Sequence, residues 1–326
     1  MSLPSFGFST TSDEVVDALS ATISGKNVLI TGTTLNTIGF EAARAIAKHA
    51  AIITITGYNA DRLQLSAETL KKEAPTAVIR HIQLDLSSLD AVRNAAALLN
   101  EQPEPLHVLI HNAAHTNGTT TITKDDIEIQ LAVDHFAPFL LTKLLLAKLL
   151  RSASADWTPR VVYVASEVHA LGPGIDLAGL RKPVPGSESE KNLFLRYHEA
   201  KQAVVMTAGE LAKRADGKLR VYSLHPGLIF TNAMMQAEVV PTMKAIGALK
   251  EDGQPNPDYK KWKTIPQGAA TTIVAAFDPR LDDKSGSYLV DCVEANDQRA
   301  PNCVNPANRE KVWKLTEGII GEKFEL

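Results

Sequence analysis

Short apolar runs alternate with amphipathic stretches along most of the chain. Residues 26–31 (KNVLIT) are apolar on both faces and bounded by turn residues, which predicts a buried strand. The same pattern recurs at 51–56, 78–84, 106–111, 160–165, 219–224 and 286–290. Helical spacing of apolar positions fills the intervals at 39–49, 61–73, 89–100, 124–150, 195–215 and 267–277. Strands buried on both faces and separated by helices predict an α/β fold, a doubly wound parallel sheet of about seven strands covered on both sides. The rhythm runs through one domain, 1–326, in which residues 1–25 read as an N-terminal extension. Two stretches break it, 168–192 and 232–266, rich in Pro, Gly and mixed polar residues. Loops of that length in a compact domain usually serve as lids or binding loops, so these two are expected to form a cover.

Composition narrows the class. The 326 residues are 44% hydrophobic and 22% charged, enough to bury a large core. Lys and Arg total 34 against 37 Asp and Glu, a net charge of -3, which argues against a nucleic-acid binder. The longest apolar stretch, 136–150, is interrupted by Lys143 and Lys148, so no membrane span is expected. The first residues lack a basic start followed by an apolar run, so a cytoplasmic location is expected. Cys292 and Cys303 are too few for a disulfide framework or a zinc site and read as small hydrophobes near the last strand. His107, His111 and His115 recur every fourth residue, but on a strand running into a loop, where that spacing does not cluster them; no metal site is expected.

Candidate chemistry collects at the C-terminal ends of the predicted strands. The first strand-to-helix turn, TGTTLNTIG over 31–39, would offer free N–H groups and a helix dipole to a phosphate. Gly32 would allow the sharp turn and Gly39 the close approach of the helix to a ligand; a plain structural turn is the competing reading, since GxGxxG is absent. Asp85, after the third strand, could accept a hydrogen bond from an adenine amino group or simply cap a helix. Asn112, Ala113 and Ala114 end the fourth strand with small residues, against which a ribose could lie. Ser166 ends the fifth strand. Tyr197 and Lys201, four apart in YHEAK, share a helix face. A nearby ammonium would stabilise the tyrosine phenolate and lower its pKa, allowing proton exchange with a substrate oxygen held by Ser166.

Together the segments ISGKNVLITG, LDLSSL, LIHNAA, VVYVAS, YHEAK, SLHPGLIFT and GSYLVDC closely resemble the short-chain dehydrogenase/reductase family. The resemblance covers nearly the whole chain. It is greatest to the subgroup of retinol-dehydrogenase-like and WW-domain-oxidoreductase-like enzymes, with a first turn like that of fungal members. It implies a Rossmann-like domain in which Ser166, Tyr197 and Lys201 are catalytic. Tyr197 would be the acid/base, and Lys201 would lower its pKa and bind the nicotinamide ribose. The resemblance extends a cofactor set over Gly32, Thr34, Asn36, Ile38, Gly39, Tyr58, Asn59, Arg62, Asp85, Leu86, Asn112, Ala113, Ala114, Tyr197, Lys201, Pro226, Gly227, Ile229 and Thr231. The first turn is one residue longer than the family's usual form, with Asn36 and Thr37 where glycine is frequent.

Two departures bear on chemistry. Asp134 stands where the family has Asn, in a helix that also carries Pro138; its charge would favour a protonated Lys201 and alter proton relay. After the second strand, Gly57-Tyr58 replaces the Gly-Arg that often pairs with a 2′-phosphate. Stacking of Tyr58 and reach of Arg62 favour NADP(H), with NAD(H) as the alternative. The cover carries Leu171, Leu177, Leu180 and Leu193, then Met234, Met235, Val239, Val240, Met243, Ile246, Leu249 and Trp262. These residues suit either local cores or a hydrophobic or aromatic small-molecule substrate. The expected function is a nicotinamide-dependent interconversion of carbonyl and alcohol, in a chain that could form a homodimer. A catalytically silent nucleotide-binding partner and an enzyme repurposed for dehydration, lyase or cyclisation chemistry are the alternatives.

Overall fold

The computed structural model describes residues 3–116, 120–231 and 239–326. Met234 and Met235 lie outside the described residues, as does the side chain of Leu193. The chain begins with α1 (Ser12–Ala18) and α2 (Ser20–Ile23), then β1 (Asn27–Thr31), α3 (Ile38–Ala47), β2 (Ile52–Gly57), α4 (Ala60–Glu73), β3 (Val78–Gln83), α5 (Leu89–Glu101) and β4 (Val108–His111). Then come α6 (Ile129–Leu131), α7 (Ala137–Leu150), β5 (Arg160–Val164), α8 (Glu188–Lys191), α9 (Leu193–Ala215), β6 (Arg220–His225) and β7 (Leu228–Ile229). The rest is α10 (Val240–Ala245), β8 (Trp262–Lys263), α11 (Ile265–Phe277), β9 (Tyr288–Val290), β10 (Val293–Glu294), α12 (Pro301–Val304) and α13 (Pro306–Ile320).

Among the described residues the main sheet has eight strands in the order β10-β9-β6-β5-β4-β1-β2-β3. All pair in parallel except β10, which turns back on β9 in antiparallel register and raises the count above the expected seven. Val28, Leu29 and Ile30 of β1 are at most 1% exposed, as a strand covered on both faces requires. One face packs α1, α3 and α11; the other packs α5, α7, α9 and α13. The order reverses between β1 and β4, so the two helical layers leave a crevice at the C-terminal strand ends.

Three expectations need correction. The single helix expected over 124–150 starts only at Ile129, because Thr123 and Ile127 close a tight turn first. The Glu128 carboxylate then accepts from the backbone N–H of Gln130 and Leu131 and caps the start. Ala132–Phe136 is wound as a π-helix before α7. Pro138 has no N–H to offer the carbonyl four residues back, so the ladder ahead of it widens rather than continuing in α form. The whole stretch Ile129–Leu150 is long and apolar enough to cross a membrane, yet 72% of its most apolar window is buried inside the fold. Residues 1–25 are more than an extension. A capping box at Thr11 and Glu14 starts α1, and Val15, Val16, Leu19 and Ile23 join the core.

The third correction is α13, which the periodicity reading missed. Its Trp313 is fully buried, edge-on to Phe139 at 4.6 Å and beside Phe324 at 5.1 Å. Truncating a fully enclosed indole forfeits its transfer energy and leaves a cavity. Trp313→Ala should therefore cost about 3–5 kcal/mol in urea unfolding, while Leu315→Ala on the outer side of the same helix should cost little. Equal midpoints for Trp313→Ala and the parent chain would contradict a load-carrying C-terminal helix.

Candidate active site

The first turn of the crevice is built on the end of β4. Gly32 has φ +72°, and a Cβ there would lie 2.6 Å from the Ala113 Cα. A Cβ on Gly39 would overlap the Asn112 amide, whose Nδ2 donates to Thr31 O (3.1 Å) and Gly32 O (3.0 Å). The hydroxyl of Thr31 in turn accepts from the N–H groups of Asn112 and Ala113, each at 3.1 Å. The missing side chain of Gly39 admits the Asn112 amide, which braces the turn. The extra residue is absorbed at Asn36, an exposed position with φ 62°. Thr37 caps α3 and donates its hydroxyl to Thr34 O at 2.6 Å.

The adenine end is open surface. Tyr58 is 65% exposed, and the Asn59 side chain is committed to capping α4 by accepting from Arg62 N at 2.9 Å. Asp85 closes an Asx turn on Ser87, taking its N–H at 2.9 Å and its hydroxyl at 2.6 Å. The Leu86 side chain points into the core. The Asx turn uses one of the two Asp85 oxygens, the helix cap expected of Asp85 falls to Ser88 instead, and Leu86 offers a ligand only backbone.

The chemical residues converge. Asn192 caps α9, which carries Tyr197 and Lys201 on the face turned to β5. Tyr197 and Ser166 line the same cavity, and Lys201 Nζ lies 5.4 Å from the centre of the Tyr197 ring. Lys201 also donates to Val164 O at 3.3 Å and meets Asp134 Oδ2 at 3.0 Å. Asp134 sits in the π-helical stretch, where the widened turn carries it to Lys201; its Oδ1 accepts from His115 N at 2.7 Å. Lys201 and Asp134 are both essentially inaccessible. A second buried cluster fixes the start of α9, where Arg196 pairs with Glu128 (3.2 Å) and Glu199 (2.7 Å).

The electrostatics modify the expectation for Tyr197. Burial pushes its phenol above the ordinary value; the Lys201 ammonium and the Ser166 side chain pull it down, and the Asp134 charge pushes it up again. The net direction in the cofactor-free protein is upward, against the expected fall. For Lys201, burial disfavours the ammonium, but the charges of Asp134 and Tyr197 outweigh it and raise the pKa.

Around this group lies a cavity of about 600 Å³. Ile38, Asn112, Ala114, Ser166, Tyr197, Lys201, Pro226, Gly227, Ile229 and Thr231 all line it, which joins one end of the expected cofactor set to the catalytic set. Its outer wall holds Leu171, Val239, Met243 and Ile246 of the cover. Leu180 is buried in the main core and Leu249 in local packing instead. Leu177 packs against the main core, and the Trp262 indole donates to Ala248 O at 3.1 Å. Phe194, Tyr259, Glu167 and His225 also line the cavity and were not singled out from sequence, since nothing in their spacing announces them. Pairing of β7 with β8 ties both ends of the second cover segment to the floor. His107, His111 and His115 face separate partners: His107 accepts from Asn27 N, His111 meets Thr142, and the His115 N–H bonds Asp134.

Comparison with known proteins agrees with this geometry. A family profile described as short chain dehydrogenase matches residues 26–173. The chain is 32% identical to the short-chain dehydrogenase TIC 32 A, chloroplastic, of Brassica napus, over 97% of this chain and 94% of that protein. It is 31% identical to a WW domain-containing oxidoreductase of Danio rerio, over 92% of this chain and 70% of that one. Among solved structures, L-sorbose reductase of Gluconobacter frateurii, complexed with NADPH and L-sorbose, superposes with a TM-score of 0.62 at 19% identity. That match covers 83% of this chain and 97% of the reductase.

Asp134→Asn keeps the acceptor for His115 N–H but removes the charge that raises the Lys201 pKa. The Lys201 ammonium should then titrate at lower pH than in the parent chain, read by NMR of ¹³Cε-labelled lysine and assigned with Lys201→Arg. An unchanged or higher midpoint would remove Asp134 from the control of Lys201.

Proposed function

The chain belongs to the short-chain dehydrogenase/reductase family, and we propose that it interconverts a carbonyl and an alcohol on a hydrophobic small molecule with Tyr197 as acid/base. The observation that carries this reading is the meeting of Ser166, Tyr197 and Lys201 in one cavity that continues to the first strand-to-helix turn. The crevice fits a dinucleotide: Gly32 leaves the turn without a side chain, and Pro226, Gly227, Ile229 and Thr231 form a wall beside Tyr197. A bound reduced nicotinamide would supply the hydride.

The chain's own residues would do the rest. Ser166 holds the substrate oxygen by its hydroxyl, and Tyr197 delivers a proton to that oxygen as negative charge develops on it. Lys201, kept charged by Asp134, stabilises the tyrosinate left behind. In the reverse direction the tyrosinate takes the alcohol proton. Leu171, Phe194, Val239, Met243 and Ile246 give the cavity an apolar wall and favour a substrate with a sizeable apolar body. NADP(H) is the preferred cofactor in this reading, since Tyr58 and Arg62 stand free at the end of β2; the NADPH bound by L-sorbose reductase supports it.

Titration with NADPH and with NADH, followed by nicotinamide fluorescence, is expected to give tighter binding of NADPH. Screening hydrophobic ketones and aldehydes should then find turnover that Tyr197→Phe lowers at least about 100-fold, with NADPH affinity little changed. Binding of neither cofactor would overturn the proposal. Turnover undiminished in Tyr197→Phe would remove Tyr197 from the acid/base role.

A further inference from the structure

The backbone of Ser166 is held from outside the nucleotide crevice. After Ser166 the chain makes a single 3₁₀ turn, Glu167–Ala170, whose His169 folds back beneath it and is fully buried. His169 Nδ1 lies 2.7 Å from Ser166 O, and its Nε2 lies 3.4 Å from Ala300 N. A carbonyl only accepts and a backbone N–H only donates. One neutral tautomer satisfies both: Nδ1–H donates to Ser166 while Nε2 accepts from Ala300.

A second strap runs beside it. The Gln202 amide, adjacent to Lys201 on α9 and fully buried, donates to His169 O at 2.8 Å. Its oxygen accepts from Asn302 Nδ2 at 2.6 Å, and Asn302 O accepts from Asn308 Nδ2 at 3.3 Å. The ring of Tyr288 in β9 covers the imidazole at 4.9 Å. The stretch 300–308 lies outside the part of the chain that matches the family profile, yet it reaches the serine through a single imidazole.

We propose that His169 is a positioning residue for Ser166, held as the Nδ1–H tautomer between Ser166 O and Ala300 N so that segment 300–308 frames the active site. The inference rests on the reading of Ser166 and Tyr197 as partners in proton transfer. His198 of α9, Arg299 ahead of α12, His225 at the end of β6, Tyr288 of β9 and Glu167 on its own turn surround the imidazole. Burial pushes the His169 pKa down against the hydrogen bond to Ser166, and the charges of His198 and Arg299 add to the fall. The imidazole is therefore neutral at neutral pH, the state the two contacts need. Protonation would set an Nε2–H against the Ala300 N–H.

The test uses the full chain labelled with ¹⁵N-histidine and ¹³Cζ-tyrosine, and needs no substrate. The wild-type His169 signal, assigned by its loss in His169→Asn, should show the Nδ1–H tautomer at neutral pH. The Ser166 side chain pulls the Tyr197 pKa down, so letting Ser166 drift in His169→Leu should raise the Tyr197 midpoint by ~0.5 pH or more. His169→Asn, whose amide N–H can replace Nδ1–H toward Ser166 O, should restore most of that shift. An Nε2–H or imidazolium signal in the wild type overturns the proposal. So does an unchanged Tyr197 midpoint in folded His169→Leu, or equal midpoints for the Leu and Asn variants. If His169→Leu does not fold, the wild-type tautomer and the His169→Asn midpoint decide. A chain that reduces no carbonyl but passes these measurements loses the enzymatic reading and keeps this one.

Discussion

The buried pair between Lys201 and Asp134 sets most of what this active site does. An ammonium and a carboxylate 3.0 Å apart, both essentially removed from water, each need the other, because an unpaired charge in that position costs several kcal/mol. The pair therefore fixes the rotation of α9 against the π-helical stretch that carries Asp134. It also keeps Lys201 charged, and so presents a cation to the Tyr197 ring and to whatever lies beyond it. The same carboxylate opposes the lysine at Tyr197. Pairing therefore favours the neutral phenol at Tyr197.

Two further buried arrangements hold this pair in register. Arg196, one residue before Tyr197, joins Glu128 at the foot of the π-helical stretch to Glu199 on its own helix. Removing one partner from such a cluster would strand the others. Below β5, His169 and Gln202 tie the serine turn to the C-terminal segment. The candidate catalytic residues come from the turn after β5 and from α9, but the groups that hold them come from the π-helical stretch, the cover and residues 300–308. The cover has a smaller part. Leu180 is packed into the core while Leu171 is 67% exposed, so its inner half is structure and its outer half is wall.

Much of this was legible in the sequence for physical reasons. Strands such as VLI in β1 and VVYV in β5 are apolar on both faces, and only a sheet covered twice uses such runs. The four-residue spacing of Tyr197 and Lys201 fixed their shared face, and Asp134 was recognised as a charge near Lys201 before its distance was known. The misses have equally definite causes. Pro138 and the turn at 123–128 broke a helix whose composition is uniformly apolar, so periodicity could not mark where it began. At Gly39 a glycine records only that space is needed, so the close approach of the Asn112 amide was not legible. His169, Gln202 and Arg196 left no signal, because apart from Ser166 and Glu199, each three residues off, the partners of their side chains lie 16 to 131 residues away and several are backbone atoms.

The claim that a buried, lysine-assisted phenol governs the proton is tested most directly by pH–rate profiles in both directions with one substrate pair. The account predicts that alcohol oxidation rises with pH while carbonyl reduction falls over the same range, with a common midpoint on the alkaline side. Oxidation needs the phenolate and reduction the phenol. Profiles that are flat through the alkaline range, or two directions with unrelated midpoints, would contradict it.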